Sequence, residues 1–99
     1  MKLIIAGSRT FTDYQLLCRT LTPELLRITQ VLTGGARGAD RLGIRWAVSH
    51  SVRRNFQMAQ AGDLLLAFWD GRSAGTRHLI GCMQQLGKPV VVICVDGQA

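Results

Sequence analysis

Apolar residues cluster in four short runs, and each of the first three closes on glycine, serine or charged residues. Lys2–Ala6 leads into Gly7-Ser8-Arg9, Thr29–Thr33 into Gly34-Gly35, and Asp63–Trp69 into Asp70-Gly71; Pro89–Val95 is the fourth. The runs are continuous rather than alternating, which predicts strands of a parallel sheet covered on both faces. Between them the spacing turns helical. Thr12 or Asp13 can cap a helix carrying Leu16, Leu17 and Leu21, which Pro23 ends or restarts. A second helix is expected over 37–50 with Leu42, Trp46 and Ala47 facing inward, a third over 52–61, and a fourth over 74–86, stopped by Gly87 and Pro89.

Strands alternating with helices predict an α/β fold: a Rossmann-like, open, mainly parallel sheet of about four strands joined by right-handed crossovers. Ninety-nine residues make one domain over 1–99, with no linker, repeat or low-complexity tract. Two predicted helices, 37–50 and 52–61, follow each other with no strand between them.

Composition narrows the partners. The net charge is +6, from 12 Lys+Arg against 6 Asp+Glu. That balance favours anionic partners without choosing among nucleotides, nucleic acids and acidic membranes. Cys18, Cys82 and Cys94 are widely spaced in apolar surroundings and read as small buried hydrophobes. The N-terminal segment has no signal-peptide layout, and no stretch reaches the ~20 apolar residues that span a bilayer. A cytoplasmic protein with no membrane association is expected, and a domain this small gains stability from self-association. His50 and His78 stand apart without acidic partners, so no metal site is expected.

In an open parallel sheet, ligands bind beyond the carboxyl ends of the strands. Gly7-Ser8-Arg9 offers a tight turn, a hydroxyl and a guanidinium fork for phosphate oxygens, although an ordinary turn with a solvated arginine reads the same. Gly34, Gly35 and Gly38 join a strand to a helix, so backbone amides and the positive helix end point at one spot, where Arg37 adds a charge. Asp40 can cap that helix or bind a ribose hydroxyl. The pattern is neither a Walker loop nor a full dinucleotide fingerprint. After the third run, Ser73, Gly75 and Thr76 repeat the arrangement at the next helix start. Ser73 can equally be a plain N-cap, and Asp70 can accept from a base or ribose. Arg54 and Asn55, at the start of the predicted third helix, can reach the same pocket or form a solvated helix end. Arg41 and Arg45 read as a solvated basic face, and Trp69 as core. Two glycine-rich strand-to-helix turns in so short a chain carry the functional argument.

These residues resemble a known family. Gly-Ser-Arg-Thr-Phe-Thr-Asp at 7–13, Thr-Gly-Gly-Ala-Arg-Gly-Ala-Asp at 33–40, Arg-Asn at 54–55 and Ala-Phe-Trp-Asp-Gly-x-Ser-x-Gly-Thr at 67–76 are similar to the YspA-like (DUF2493) branch of the SLOG superfamily, found in bacteria and phages. The resemblance implies a Rossmann-like domain that binds a nucleotide or nucleotide derivative on these loops. Gly34, Gly35, Gly38, Gly75 and Thr76 would hold phosphate, Arg9, Arg37 and Arg54 would supply charge, and Asp40 and Asp70 would read ribose or base. Members of the branch usually carry a further segment, including a strand, between the second helix and Arg-Asn. Here Trp46-Ala47 leads almost directly to Arg54-Asn55, which implies a lost strand and an exposed sheet edge suited to dimerisation. Relatives of the LOG type place a catalytic glutamate where this chain has Leu79, so a non-catalytic sensing or sequestering module with no cofactor is expected. The alternatives are a phosphoribohydrolase-like enzyme, with Asp40 or Asp70 as base, and a nucleic-acid-binding protein in the manner of DprA.

Overall fold

The computed structural model describes residues 1–56 and 59–95. Five strands and three helices follow in the order β1 (Lys2–Gly7), α1 (Tyr14–Leu21), β2 (Gln30–Thr33), α2 (Ala39–Ser49), β3 (Arg53–Phe56), β4 (Leu64–Trp69), α3 (Ala74–Gln85) and β5 (Val90–Cys94). A 3₁₀ turn, Thr22–Arg27, with Pro23 at its start, prolongs α1. All strands are parallel, and the sheet order is β3-β2-β1-β4-β5.

Alternate residues of the strands feed two cores. Leu3, Ile5, Val31, Leu66 and Phe68 meet Leu17 and Leu21 of α1 and Trp46 and Ala47 of α2. Ile4, Ala6, Leu32, Leu65 and Ala67 meet Leu79 and Met83 of α3 on the opposite face. Burial on both faces is why the strand sequences read as unbroken apolar runs. Asp13 caps α1 as expected, accepting from the Leu16 amide at 3.0 Å.

The predicted helix over 52–61 is not formed. Arg53–Phe56 is instead a strand, paired in parallel with β2 from Gln30↔Arg53 to Thr33↔Phe56. All four of its residues are exposed, so it lacks the apolar pattern that marks a strand in sequence. The sheet therefore has five strands, and the Arg-Asn segment itself supplies the strand at that edge.

What is short is the return from β3 to β4. Residues 57–63 link the two strands, and the described part, 59–63, is not helical. Ala59 and Ala61 pack directly against the Ile4–Leu32 core. Gly62 passes so close that a Cβ there would collide with the Ile4 side chain. Asp63 anchors the crossing: its amide donates to the Lys2 carbonyl at 2.8 Å, and its carboxylate accepts from the Lys2 amide at 2.7 Å. Lys88 holds the other end, donating to the Ala59 and Gln60 carbonyls at 3.0 and 2.7 Å.

The cysteines also depart from expectation. Cys18 and Cys82 are only half-buried, and Cys94 is exposed because β5 is an edge strand; all three are free thiols. No helix among the described residues is long and apolar enough to cross a membrane.

Candidate functional site

The strand order reverses between β1 and β4. From β1 the chain moves toward β2 and β3; from β4 it moves toward β5. The diverging connections leave a crevice at their carboxyl ends, the usual ligand position in open α/β sheets. A cleft of about 190 Å³ opens there, lined by Gly7 and Arg9 after β1, Ala36 and Asp40 after β2, and Ser73, Gly75 and Thr76 after β4, with Ala6 and Leu79 in its wall. An adjoining cleft shares Arg9, Ser73 and Gly75 and adds Ser8, Thr10, Asp70 and Arg72.

Close backbone packing fixes the three loops. Gly7 lies so near β4 that a Cβ would strike the Phe68 carbonyl, and a Cβ on Gly38 (φ +79) would strike the Ser8 carbonyl. Ser8 is the hub between them. Its amide donates to the Phe68 carbonyl at 2.9 Å, and its own carbonyl accepts from the Phe11 and Ala39 amides at 3.2 and 3.3 Å. Its hydroxyl accepts from the Asp70 amide at 2.9 Å. Being 1 % exposed, Ser8 ties the β1, α2 and β4 turns together.

The two glycine-rich turns differ in what they leave free. In the first, the Gly34 and Ala36 amides donate to Asp40 Oδ2 at 2.9 and 3.4 Å, and the Ala39 amide is held by Ser8. Asp40 thus folds the turn back upon α2. It is 6 % exposed and lies in the cleft wall. Burial raises its pKa above the ordinary 3.8, against the lowering effect of the Gly34 and Ala36 amides.

In the second turn, Asp70 Oδ1 accepts from the Arg72 and Ser73 amides at 2.8 and 3.1 Å. Those bonds, chiefly the one from Arg72, hold its pKa below 3.8. Asp70, half-buried, therefore shapes the turn. Ser73 occupies the N-cap position without capping through its side chain; its hydroxyl accepts from Thr76 at 3.3 Å. The first intrahelical bond of α3 is Arg77 to the Ser73 carbonyl. The amides of Ala74, Gly75 and Thr76 precede it and are open to an acceptor. An anion is better served here than at the α2 turn, because hydroxyls, amides and the positive helix end coincide.

Arg9 borders both clefts, whereas Arg37 is exposed outside their walls. Gly34, Gly35, Arg54 and Asn55 lie apart from Ser73–Thr76. They line a shallow cleft of about 310 Å³ on the other side of the 34–40 turn, with Thr33, Ile44 and Phe56. Phe56 and Ile44 were not anticipated from sequence; reading 53–56 as a strand would have put Phe56 at its carboxyl end, among the ligand loops. Trp69, expected in the core, is half-buried: it packs against the second core from its edge, and its indole donates to the Ser73 carbonyl at 3.1 Å. No cluster of three or more metal-ligating side chains occurs among the described residues.

Residues 1–57 match the model of a family described as YspA, cpYpsA-related SLOG. The chain is 35 % identical to the Gene 61 protein of Mycobacterium phage D29, over 117 positions covering 91 % of this chain and 94 % of the relative. The alignment is longer than the 99-residue chain, so the phage protein carries residues that have no counterpart here. No solved structure matches.

Proposed function

The chain belongs to the YspA, cpYpsA-related SLOG family, and from that premise we propose that it is a non-catalytic module that senses or sequesters a nucleotide or nucleotide-derived ligand. The observation that carries this reading is the crevice at the β1–β4 reversal, where Arg9, Ser73, Gly75 and Thr76 converge with Asp40. Phosphate would sit on the α3 amides and the Ser73 and Thr76 hydroxyls, with the Arg9 guanidinium across from them. Asp40 Oδ1, the oxygen not holding the loop amides, would accept from a ribose hydroxyl. Leu79 gives the wall an apolar surface where LOG-type relatives carry their catalytic acid.

The reading predicts thermal stabilisation by a small nucleotide that is recovered unchanged. Ligand at about 100-fold over its Kd adds roughly 2.7 kcal/mol, equivalent to about 10–20 °C in a domain of this size. Arg9→Ala should weaken binding about 10- to 100-fold, the worth of a charge-assisted hydrogen bond, without lowering the Tm of the free protein. No shift with any nucleotide would refute the proposal.

One observation favours an enzyme instead: Asp40 is a cleft carboxyl whose pKa burial raises, as a general acid or base requires. Release of free base or phosphate from the bound nucleotide, abolished in Asp40→Asn, would establish that reading. A shift produced only by single-stranded DNA and lost steeply with salt would establish nucleic-acid binding.

A further inference from the structure

Five of the six aromatic side chains are engaged in packing. Phe11 stacks on Phe68 with ring centroids 4.7 Å apart, and Trp46 is fully buried. Trp69 bonds the Ser73 carbonyl, and Tyr14 packs against the first core beneath the Arg45 guanidinium. Phe56 is the exception, 71 % exposed. A lone exposed apolar residue is ordinary on a protein surface, so its position decides what it means. Phe56 ends β3 on the carboxyl side of the sheet, level with Thr33, the last residue of β2. It faces the shallow cleft with Ile44 as an apolar wall and Gly34 and Gly35 as a floor. Open space lies where a Gly35 Cβ would stand. Arg54 borders this cleft and forms no ion pair; the one salt bridge among the described residues joins Arg27 and Glu24. Asn55 accepts from the Phe56 amide through Oδ1 at 2.8 Å, which leaves its NH₂ group as a donor.

An apolar slot with one free aromatic face, a side-chain amide donor and an unpaired guanidinium fits a heteroaromatic ring attached to an anion. The polar crevice with Asp40 and Thr76 lies on the opposite side of the same 34–40 turn. We infer that the cleft at Phe56 is a nucleobase subsite: the base stacks on Phe56 within reach of the Asn55 amide, and the ligand crosses the 34–40 turn so that its phosphate reaches the α3 amides. This inference rests on the nucleotide reading of the crevice and assigns the part of the ligand that the crevice does not hold. It makes Phe56 and Asn55 the residues that select the base, and leaves the phosphate to Arg9, Ser73, Gly75 and Thr76.

The test compares calorimetric affinities for the four common nucleoside 5′-monophosphates and for ribose 5-phosphate. The wild type should bind at least one nucleotide roughly 10- to 100-fold tighter than ribose 5-phosphate, the gain expected of one base–aromatic stack. Phe56→Ala should erase that difference while keeping the affinity for ribose 5-phosphate and the Tm of the free protein; Phe56→Tyr should preserve it. Nucleotide preference unchanged in Phe56→Ala, or absent from the wild type, overturns the subsite and leaves the phosphate crevice standing. Binding of neither nucleotide nor ribose 5-phosphate overturns the crevice reading, and the subsite with it.

Discussion

Asp40 in the crevice and Asp70 in the adjoining cleft stand in opposite electrostatic conditions. Burial disfavours the charge on Asp40 and raises its pKa, whereas the Arg72 and Ser73 amides favour the charge on Asp70 and lower it. The two residues must therefore tilt stability with pH in opposite directions. For Asp40, the protonated form is favoured in the folded state; its contribution is present below 3.8 and is lost as pH rises through the raised folded value. For Asp70, the contribution is present above 3.8 and is lost as pH falls through the depressed value. Asparagine at 40 keeps an oxygen for the Gly34 and Ala36 amides without a charge. Asp40→Asn should match the wild type in acid and become the more stable protein as pH rises. Asp40→Ala leaves those amides without their acceptor and should cost about 1–2 kcal/mol. Asp70→Asn should be less stable near neutrality, the gap closing in acid. Denaturant titrations between pH 3 and 7 check all three.

The crossing from β3 to β4 shows how an element can be replaced by chain. A peptide pressed against the sheet at Ile4 and Leu32 covers the face that a crossover helix would otherwise occupy, and Gly62 is what permits the approach. Gly62→Ala should destabilise by about 1–3 kcal/mol, as overpacking a close contact does. Gly81, inside α3 with open space around its Cα, should behave oppositely: Gly81→Ala should stabilise by roughly 0.5–1 kcal/mol in thermal melts. The same region marks where sequence and structure part. β1, β2 and β4 are legible because both faces are buried, and α2 because Leu42, Trp46 and Ala47 recur at helical spacing. β3 is not legible, since Arg53-Arg54-Asn55-Phe56 is an exposed edge strand whose pairing comes from β2 alone. The site inherits that difference. The loops leaving β1, β2 and β4 announce themselves by glycines, but sequence does not reveal that Asp40 turns two amides of the 34–38 loop inward while the first three amides of α3 stay open. Nor does it show that Arg54 and Asn55 belong to a separate cleft, because that depends on the strand hidden beneath a helix-like composition.

Across the molecule, the aspartates among the described residues are taken up by the backbone. Asp13 caps α1, Asp40 and Asp70 hold turns, Asp63 anchors the crossing, and Glu24 alone makes an ion pair. The surplus of arginines over acids is thereby left to the surface, and β5 carries none of it. That strand, Val90–Cys94, contains no charge, exposes Val91 and Val92 by 47 % and 39 %, and pairs only with β4. The sequence pointed to self-association at the β2 side; the structure places the polar strand β3 there and the apolar edge on the far side. We propose that two copies meet through antiparallel β5 edges, an isologous contact that extends the sheet across a two-fold axis. A lysine on an edge strand opposes such pairing. Val92→Lys should therefore convert a dimer into a monomer in sedimentation or light-scattering experiments. No β5 residue lines any of the three clefts at the strand ends, so its nucleotide affinity should stay that of the wild type. A wild-type protein that sediments as a monomer at all concentrations would exclude the edge contact. A dimer that survives Val92→Lys would move the interface away from β5.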